Sequence, residues 1–299
     1  MEIIDLLSAS PTLLLTVCII LGLLVGSFLN VVVYRLPIML QRDWHEQCCD
    51  YLEIDNETPN SSELSAKFKV FNLQKPDSHC TLCNHKIKPW ENVPVLSYLF
   101  LVGKCSDCKG KISIRYPSVE LVSGVLSGLV AFHFGATWLT LALLFLTWAL
   151  IALILIDFDH QLLPDNITLP LIWLGLLVNT IDFGLGVTLR DAVIGAVAGY
   201  LVLWVFCWGF KLATGKDGMG YGDFKLLSAL GAWMGWQSLL PIIILSSLVG
   251  AVFGLGMMLL FGRDKSVPMP FGPFLAGAGF LMLIWGPQLR AFYIDNFIS

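Results

Sequence analysis

Long apolar runs recur along this sequence, and they constrain its fold more than any other feature. A helix that crosses a bilayer needs about 20 mostly apolar residues, because its backbone polar groups must be hydrogen-bonded within the segment. Only 13% of the 299 residues are charged, against roughly 25% in a soluble domain. The pattern predicts an all-α polytopic membrane protein with about eight transmembrane helices. They are placed at about 12–34, 117–135, 136–157, 167–186, 191–212, 223–238 (a short one), 240–262 and 270–288.

One long polar insert separates the first predicted helix from the second. The sequence therefore predicts three parts: a first transmembrane helix in 1–34, an insert domain in 35–115 and a membrane block of about seven helices in 116–299. The 18 Lys and Arg residues are few and form no dense cluster, so nothing in the charge pattern predicts nucleic-acid binding.

The distribution of basic residues predicts the orientation of the chain. Eleven of the Lys and Arg residues lie in the insert, and only Arg190 and Arg290 lie on the opposite side of the predicted membrane. Cytoplasmic loops carry the excess of basic residues, so the insert is expected in the cytoplasm and both termini outside. The short loops on the side of the insert add five basic residues: Lys211, Lys216, Lys225, Arg263 and Lys265.

Two acidic stretches, IDFDHQLLPD (156–165) and GMGYGDF (218–224), then fall at the cytoplasmic membrane surface. Each acid alone has a simple structural explanation. Asp223 suits a helix N-cap, where Asp accepts backbone N–H bonds, and Asp157 suits the end of a helix at the interface. A pair of acids at one membrane edge is less easily explained, because carboxylates near lipid are rare and costly.

Two neighbouring carboxylates do not both ionise easily, so they share one proton. One acid then activates water and the other protonates a peptide carbonyl, which is aspartic-protease chemistry. Gly220 and Gly222 would let an extended substrate strand approach the backbone beside Asp223. Spacing alone does not choose the partner of Asp223 among three acids: Asp157, Asp159 and Asp165.

The insert carries two Cys-x-x-Cys pairs, Cys80 with Cys83 and Cys105 with Cys108, separated by 21 residues. This spacing predicts a tetrahedral zinc site in a zinc-ribbon-like module. The cytoplasm is reducing, which argues against two disulfides, and four thiolates leave no open position for catalysis. His79 and His85 adjoin the first pair and are expected on the surface. Four other cysteines lack metal-site spacing: Cys18, Cys48, Cys49 and Cys207.

Several motifs occur together in one order along the chain. GSFLNVVVYRLP precedes the four-cysteine insert, IDFDHQLLPD and GMGYGDFKLL follow it, and PFGPFLA opens the last helix. Taken together they resemble the type IV prepilin leader peptidases, which are membrane aspartic proteases with a Gly-x-Gly-Asp motif. The resemblance spans essentially the whole chain. It implies that Asp157 and Asp223 are the catalytic pair, and it leaves four residues in supporting roles: Gly220, Gly222, Asp159 and Asp165.

The resemblance also implies a substrate, a place and a second activity. The substrates would be pilin and pseudopilin precursors, in which a short basic leader precedes an apolar helix. Cleavage would occur at the cytoplasmic face of the bacterial inner membrane. Many members also methylate the new amino terminus with S-adenosylmethionine, although the sequence identifies no residues that bind this cofactor.

Two other classes of function stay open at this point. An ion-coupled transporter would place its acids near helix midpoints, whereas these acids are predicted at helix ends. A zinc-docked assembly protein would leave the acid pair without a chemical task.

Overall fold

The structure, a computed structural model, describes residues 3–53, 71–181, 183, 185–216, 218–261 and 269–297, and these residues are almost entirely helical. Residues 182, 184 and 262 of the predicted segments lie outside the described residues, as do Lys67, Lys69, Arg263 and Lys265. The helices run in this order: α1 (Ile3–Ala9), α2 (Pro11–Leu52), α3 (Leu96–Phe100), α4 (Arg115–Phe134), α5 (Trp138–His160), α6 (Asp165–Thr180), α7 (Leu189–Thr214), α8 (Tyr221–Met234), α9 (Leu239–Phe261) and α10 (Gly272–Phe297).

Within the described ranges, six helical segments are long and apolar enough to cross a membrane, so the protein is a multi-pass membrane protein. They are α2, α4, α5, α7, Trp236–Leu260 and Gly272–Leu289. Each of the eight predicted segments coincides with a helix. The two that fall short of the spanning criterion are α6, with 16 residues, and α8, with 14.

The first helix is longer than the apolar run that predicts it. α2 has 42 residues and continues from the predicted end near residue 34 to Leu52, through Pro37. Its length of about 63 Å is twice the roughly 30 Å of hydrocarbon in a bilayer. Hydropathy detects the part of a helix that suits lipid, and residues 35–52 are polar enough to continue the helix beyond it.

Packing divides the chain into two compact units, residues 9–132 and residues 1–8 with 133–299. In the first unit, α2 crosses α4 at small residues. A Cβ atom built on Gly26 would lie 2.7 Å from the Cα of Glu120, and Ser123 Oγ donates a 2.7 Å hydrogen bond to the Gly22 carbonyl. The Gly22-x-x-x-Gly26 pattern therefore marks a close helix crossing, as such patterns do in membranes.

In the second unit, α8 forms the centre, and nearly all of its side chains from Asp223 to Met234 are buried. α7 runs antiparallel to it, and the backbones meet so closely at Gly195 and Gly231 that a Cβ atom on either would overlap the carbonyl of the other. α6 runs parallel to α8, and the Asn179 side chain donates to the carbonyls near the end of α8. α5 and α10 pack against each other.

Candidate active site and metal centre

Asp157 lies one turn before the end of α5 and is only 5% exposed. The backbone N–H of Gly272, the first residue of α10, donates to its carboxylate. A Cβ atom built on Gly272 would lie 2.6 Å from Asp157 Oδ2. A side chain at position 272 would therefore displace the carboxylate, and the glycine lets the start of α10 close over it.

Asp223 lies in the first turn of α8 and is 8% exposed. The N-cap of this helix is Gly220, so Asp223 is not the N-cap residue. The backbone of Gly220 donates to the Asp223 carboxylate, and the charge of Asp157 acts on it. Among the described residues, Asp223 Oδ1 has no hydrogen-bond partner although it is buried. A buried polar atom without a partner is rare in folded proteins and calls for an explanation.

The buried side chain of Leu163 connects the segments that carry the two acids. A Cβ atom on Gly222 would lie 2.7 Å from Leu163 Cβ, and one on Gly272 would lie 3.1 Å from Leu163 Cδ1. Both glycines therefore contact the same leucine closely, which brings the segment after α5 against the starts of α8 and α10. Gly222 packs against Leu163 here, and its predicted role toward a substrate strand stays a prediction.

The two other acids of the IDFDHQLLPD stretch occupy different surroundings. Asp159 is exposed on the last turn of α5. Asp165 begins α6 and accepts hydrogen bonds of 2.6 and 2.8 Å from Lys225 Nζ. Of the three acids that spacing leaves open, only Asp157 is buried. The quoted motifs contain Lys225, Leu163 and Gly272. Their spacing in the sequence does not predict the contacts that these residues make.

The two acids thus sit on different helices, shielded from water, with one backbone N–H donor from a glycine each. Their charges interact, and one buried carboxylate oxygen is left without a partner in the described part of the chain. Two carboxyl groups in one low-dielectric site can hold a single proton between them, which equips one as a general base and the other as a general acid.

The four cysteines of the insert come together as predicted. Their Sγ atoms all lie within 4.8 Å of one another, with 3.9 Å between Cys80 and Cys108 and 4.0 Å between Cys83 and Cys105. Tetrahedral zinc with Zn–S bonds of about 2.3 Å separates its sulfur ligands by about 3.8 Å. The donor set therefore fits a structural zinc ion.

The two cysteine pairs have the same local fold. In each, the N–H of the first cysteine donates across the loop, from Cys80 to the His85 carbonyl at 2.9 Å and from Cys105 to the Gly110 carbonyl at 2.8 Å. Backbone N–H groups of Cys83 and Leu82 lower the pKa of the Cys80 thiol to about 6. A thiol with this pKa is largely ionised at neutral pH, which is the form that binds metal.

His85, like His79, is expected on the surface but is only partly exposed. Its side chain is 23% exposed, and Nε2 lies 3.2 Å from Glu91 Oε2 and 3.3 Å from Ser106 Oγ. The backbone N–H of Lys88 holds the pKa of Glu91 at about 2. His85 therefore links the first cysteine pair to Ser106 of the second. No pattern in the amino-acid sequence predicts this contact, because Ser106 is 21 residues away.

Comparisons with known proteins find relatives that match nearly the whole chain. The model of the bacterial peptidase A24 N-terminal domain matches residues 20–134, and that of the type IV leader peptidase family matches residues 144–255. A prepilin leader peptidase/N-methyltransferase of Stutzerimonas stutzeri is 53% identical over 292 residues, 98% of each chain. That of Pseudomonas aeruginosa is 53% identical, and the match covers 99% of this chain and 98% of the relative. That of Neisseria gonorrhoeae is 51% identical, and the match covers 88% of this chain and 87% of the relative. No solved structure matches this chain significantly.

Proposed function

This chain belongs to the type IV leader peptidase family, and we propose that it is a membrane aspartic endopeptidase. It cleaves the leader from type IV pilin and type II secretion pseudopilin precursors and then methylates the new amino terminus. The observation that carries the proposal is the pairing of two buried acids: the charge of Asp157 acts on the Asp223 carboxylate, whose Oδ1 is buried without a partner among the described residues.

The chemistry follows from one proton shared by the two acids. The ionised acid takes a proton from water, and the water oxygen attacks the carbonyl carbon of the scissile peptide bond. The protonated acid gives its proton to the carbonyl oxygen. When the tetrahedral intermediate collapses, one hydroxyl proton returns to the acid that gave it, the C–N bond breaks, and the leaving nitrogen receives the proton held by the base. The backbone N–H groups of Gly272 and Gly220 keep the two carboxylates oriented.

The proposed location of this chemistry is the cytoplasmic face of the bacterial inner membrane. We take α6 and α8 as two further crossings beside the six long apolar segments. With eight crossings, the excess of basic residues on the side of the insert supports a cytoplasmic location for both acids and the zinc-ribbon-like module. α6 and α8 would span only about 24 and 21 Å. Because both begin beside the acids, the site would lie at the membrane edge, where a basic leader meets an apolar helix.

The metal and the methyl donor have separate parts in the proposal. Zinc would be held by Cys80, Cys83, Cys105 and Cys108 and would stabilise the insert, since four thiolates leave no open coordination position for catalysis. S-adenosylmethionine would supply the methyl group for an N-methyltransferase activity, which is the activity that the relatives' names give, and we assign no residues to its site. The acids lie within one turn of helix ends, so the midpoint placement expected for an ion-coupled transporter is not met.

The test is cleavage of a detergent-solubilised pilin precursor by the wild type and three variants. Asp157→Asn and Asp223→Asn keep the size of the side chain and remove the carboxylate, so we expect both to abolish cleavage while zinc content and thermal unfolding stay unchanged. Asp159→Asn alters an exposed acid and is expected to remain active. If both dyad variants cut at wild-type rates, the aspartic mechanism is wrong.

A further inference from the structure

An exposed apolar surface lies on the insert, in the segment between the two cysteine pairs. Residues 89–103, hereafter the apolar loop, begin with a 3-10 turn at Pro89–Asn92 and continue through α3. The side chain of Phe100 is 84% exposed and that of Val102 is 78% exposed. Other large apolar side chains of the loop are exposed with them: Trp90, Leu96 and Leu99. An exposed patch of this kind marks an interaction surface.

We propose that the apolar loop inserts into the cytoplasmic surface of the lipid bilayer and anchors the zinc-bearing insert there. A hydrogen bond holds the apolar loop against a spanning helix. The N–H of Val95 donates a 2.7 Å hydrogen bond to Glu120 Oε2, and Glu120 is buried near the start of α4. The 20 residues of α4 span about 30 Å, the thickness of the hydrocarbon core.

Contacts made by α2, the other spanning helix of this unit, indicate the same depth in the membrane. Asn30 Nδ2 donates to the Tyr116 carbonyl at 3.2 Å, and the Ser27 hydroxyl donates to the Glu120 carboxylate. Ser27 and Asn30 both lie inside the apolar run of α2, before its end near residue 34. Because Glu120 also binds Val95, in the middle of the apolar loop, this part of the loop lies at the depth where both helices are still apolar, and not above it.

The charges around the apolar loop favour lipid over a protein partner. Residues 86–115 contain six basic residues and two acidic ones, Glu91 and Asp107. Basic residues beside a membrane are attracted to anionic headgroups. Lys88 Nζ lies 5.5 Å from the centre of the Trp90 ring, and tryptophan is enriched at membrane interfaces. The six basic residues are Lys86, Lys88, Lys104, Lys109, Lys111 and Arg115.

A matched pair of exposed aromatic positions tests the proposal. Tyr51 is 88% exposed, as open as Phe100, but it lies on α2 about 25 Å beyond the end of the apolar run. Phe28 lies inside that run and is also exposed. An environment-sensitive fluorescent amino acid is placed at one of these three positions in the full chain. The chain is reconstituted into nanodiscs of phosphatidylethanolamine and phosphatidylglycerol, with or without bromine on the acyl chains.

We expect brominated lipid to quench the probe at position 100 as strongly as at position 28, and aqueous iodide to quench it at neither. The probe at position 51 should show the reverse. The proposal is overturned if position 100 behaves like position 51. It is also overturned if position 100 loses iodide quenching only when a pilin precursor is added, because the surface then binds protein.

A thermal unfolding midpoint equal to that of the unlabelled chain establishes that each labelled protein is folded, and position 102 replaces position 100 if that protein fails to accumulate. The inference rests on the membrane location of the chain and not on the proposed chemistry. Loss of cleavage in the Asp157 and Asp223 variants therefore tests the proposed function separately.

Discussion

The first residue of α10, Gly272, lies directly against the carboxylate of Asp157. Its N–H donates to this carboxylate, and there is no room for a methyl group, since a Cβ atom would lie 2.6 Å from Oδ2. The last of the quoted motifs, PFGPFLA, thereby acquires a physical role. It closes the acid pair from the side of α10 and fixes one of the two carboxylates.

Gly272→Ala is therefore expected to reduce the cleavage rate of a pilin precursor by about 10²-fold, the cost of displacing a reacting group by roughly 1 Å. The added methyl group must push the Asp157 carboxylate away, while the rest of α10 is unaffected. The measurement is kcat and KM for precursor cleavage, and the expected change is in kcat.

Gly277→Ala is the matched control for this prediction. It lies on the same helix, and a Cβ atom there meets no described atom within 4 Å. We expect this variant to cleave at the wild-type rate. Equal activity in the two alanine variants would show that the contact between Gly272 and Asp157 does not hold the carboxylate for catalysis.

Lys225→Met is expected to slow cleavage several-fold. It should change the free energy of unfolding by less than about 1 kcal/mol, because the ion pair of Lys225 with Asp165 is partly exposed. The pair joins the start of α8 to the start of α6, two residues from Asp223. Its loss lets the two segments separate. Thermal unfolding and kcat/KM measured on the same preparation distinguish the two effects.

A charge-reversed pair provides the decisive comparison. Lys225→Asp combined with Asp165→Lys should recover part of the activity that either single change removes, whereas Lys216→Met, on an exposed loop residue, should have no effect. Strictly additive losses in the double variant would argue against a direct coupling.

The sequence predicts the chemistry of this protein better than its geometry. Cys-x-x-Cys spacing predicts the four-thiol cluster, because metal ligands on two short loops are a local pattern. The choice of Asp157 over Asp159 and Asp165 required the family resemblance, since burial depends on how α5 packs and not on spacing. The contact of Gly272 with Asp157 joins residues more than 100 positions apart, which hydropathy does not reveal.

Helix lengths show the same limit. The apolar run places the first helix correctly but ends near residue 34, whereas α2 reaches Leu52. Hydropathy detects only the part of a helix that is apolar enough for lipid. It therefore does not predict how far the helix continues outside the membrane. Conversely, α6 and α8 are recognised as apolar segments, although they are too short to meet the spanning criterion.

Asn179→Ala is expected to lower the free energy of unfolding by about 1–3 kcal/mol, the cost of leaving buried polar groups unpaired. Asn179 Nδ2 donates to the Ala232 carbonyl at 2.8 Å and the Trp233 carbonyl at 3.1 Å, which are among the last carbonyls of α8. Thermal unfolding in detergent measures the effect. Asn166→Ala, at an exposed position of the same helix, should leave stability unchanged, and equal losses would contradict the assignment.

Cys105→Ser should remove bound zinc, because Cys105 is one of four thiols whose sulfur atoms lie within 4.8 Å of one another. Elemental analysis of the purified full chain is expected to find one zinc per chain in the wild type and far less in this variant. Zinc binding by such sites contributes directly to folding, so the insert should also become more sensitive to limited proteolysis. Cys48→Ser removes an exposed thiol outside the cluster and should change neither result. Full zinc content in Cys105→Ser, or a wild type without zinc, would mean that the four thiols are not a structural zinc site.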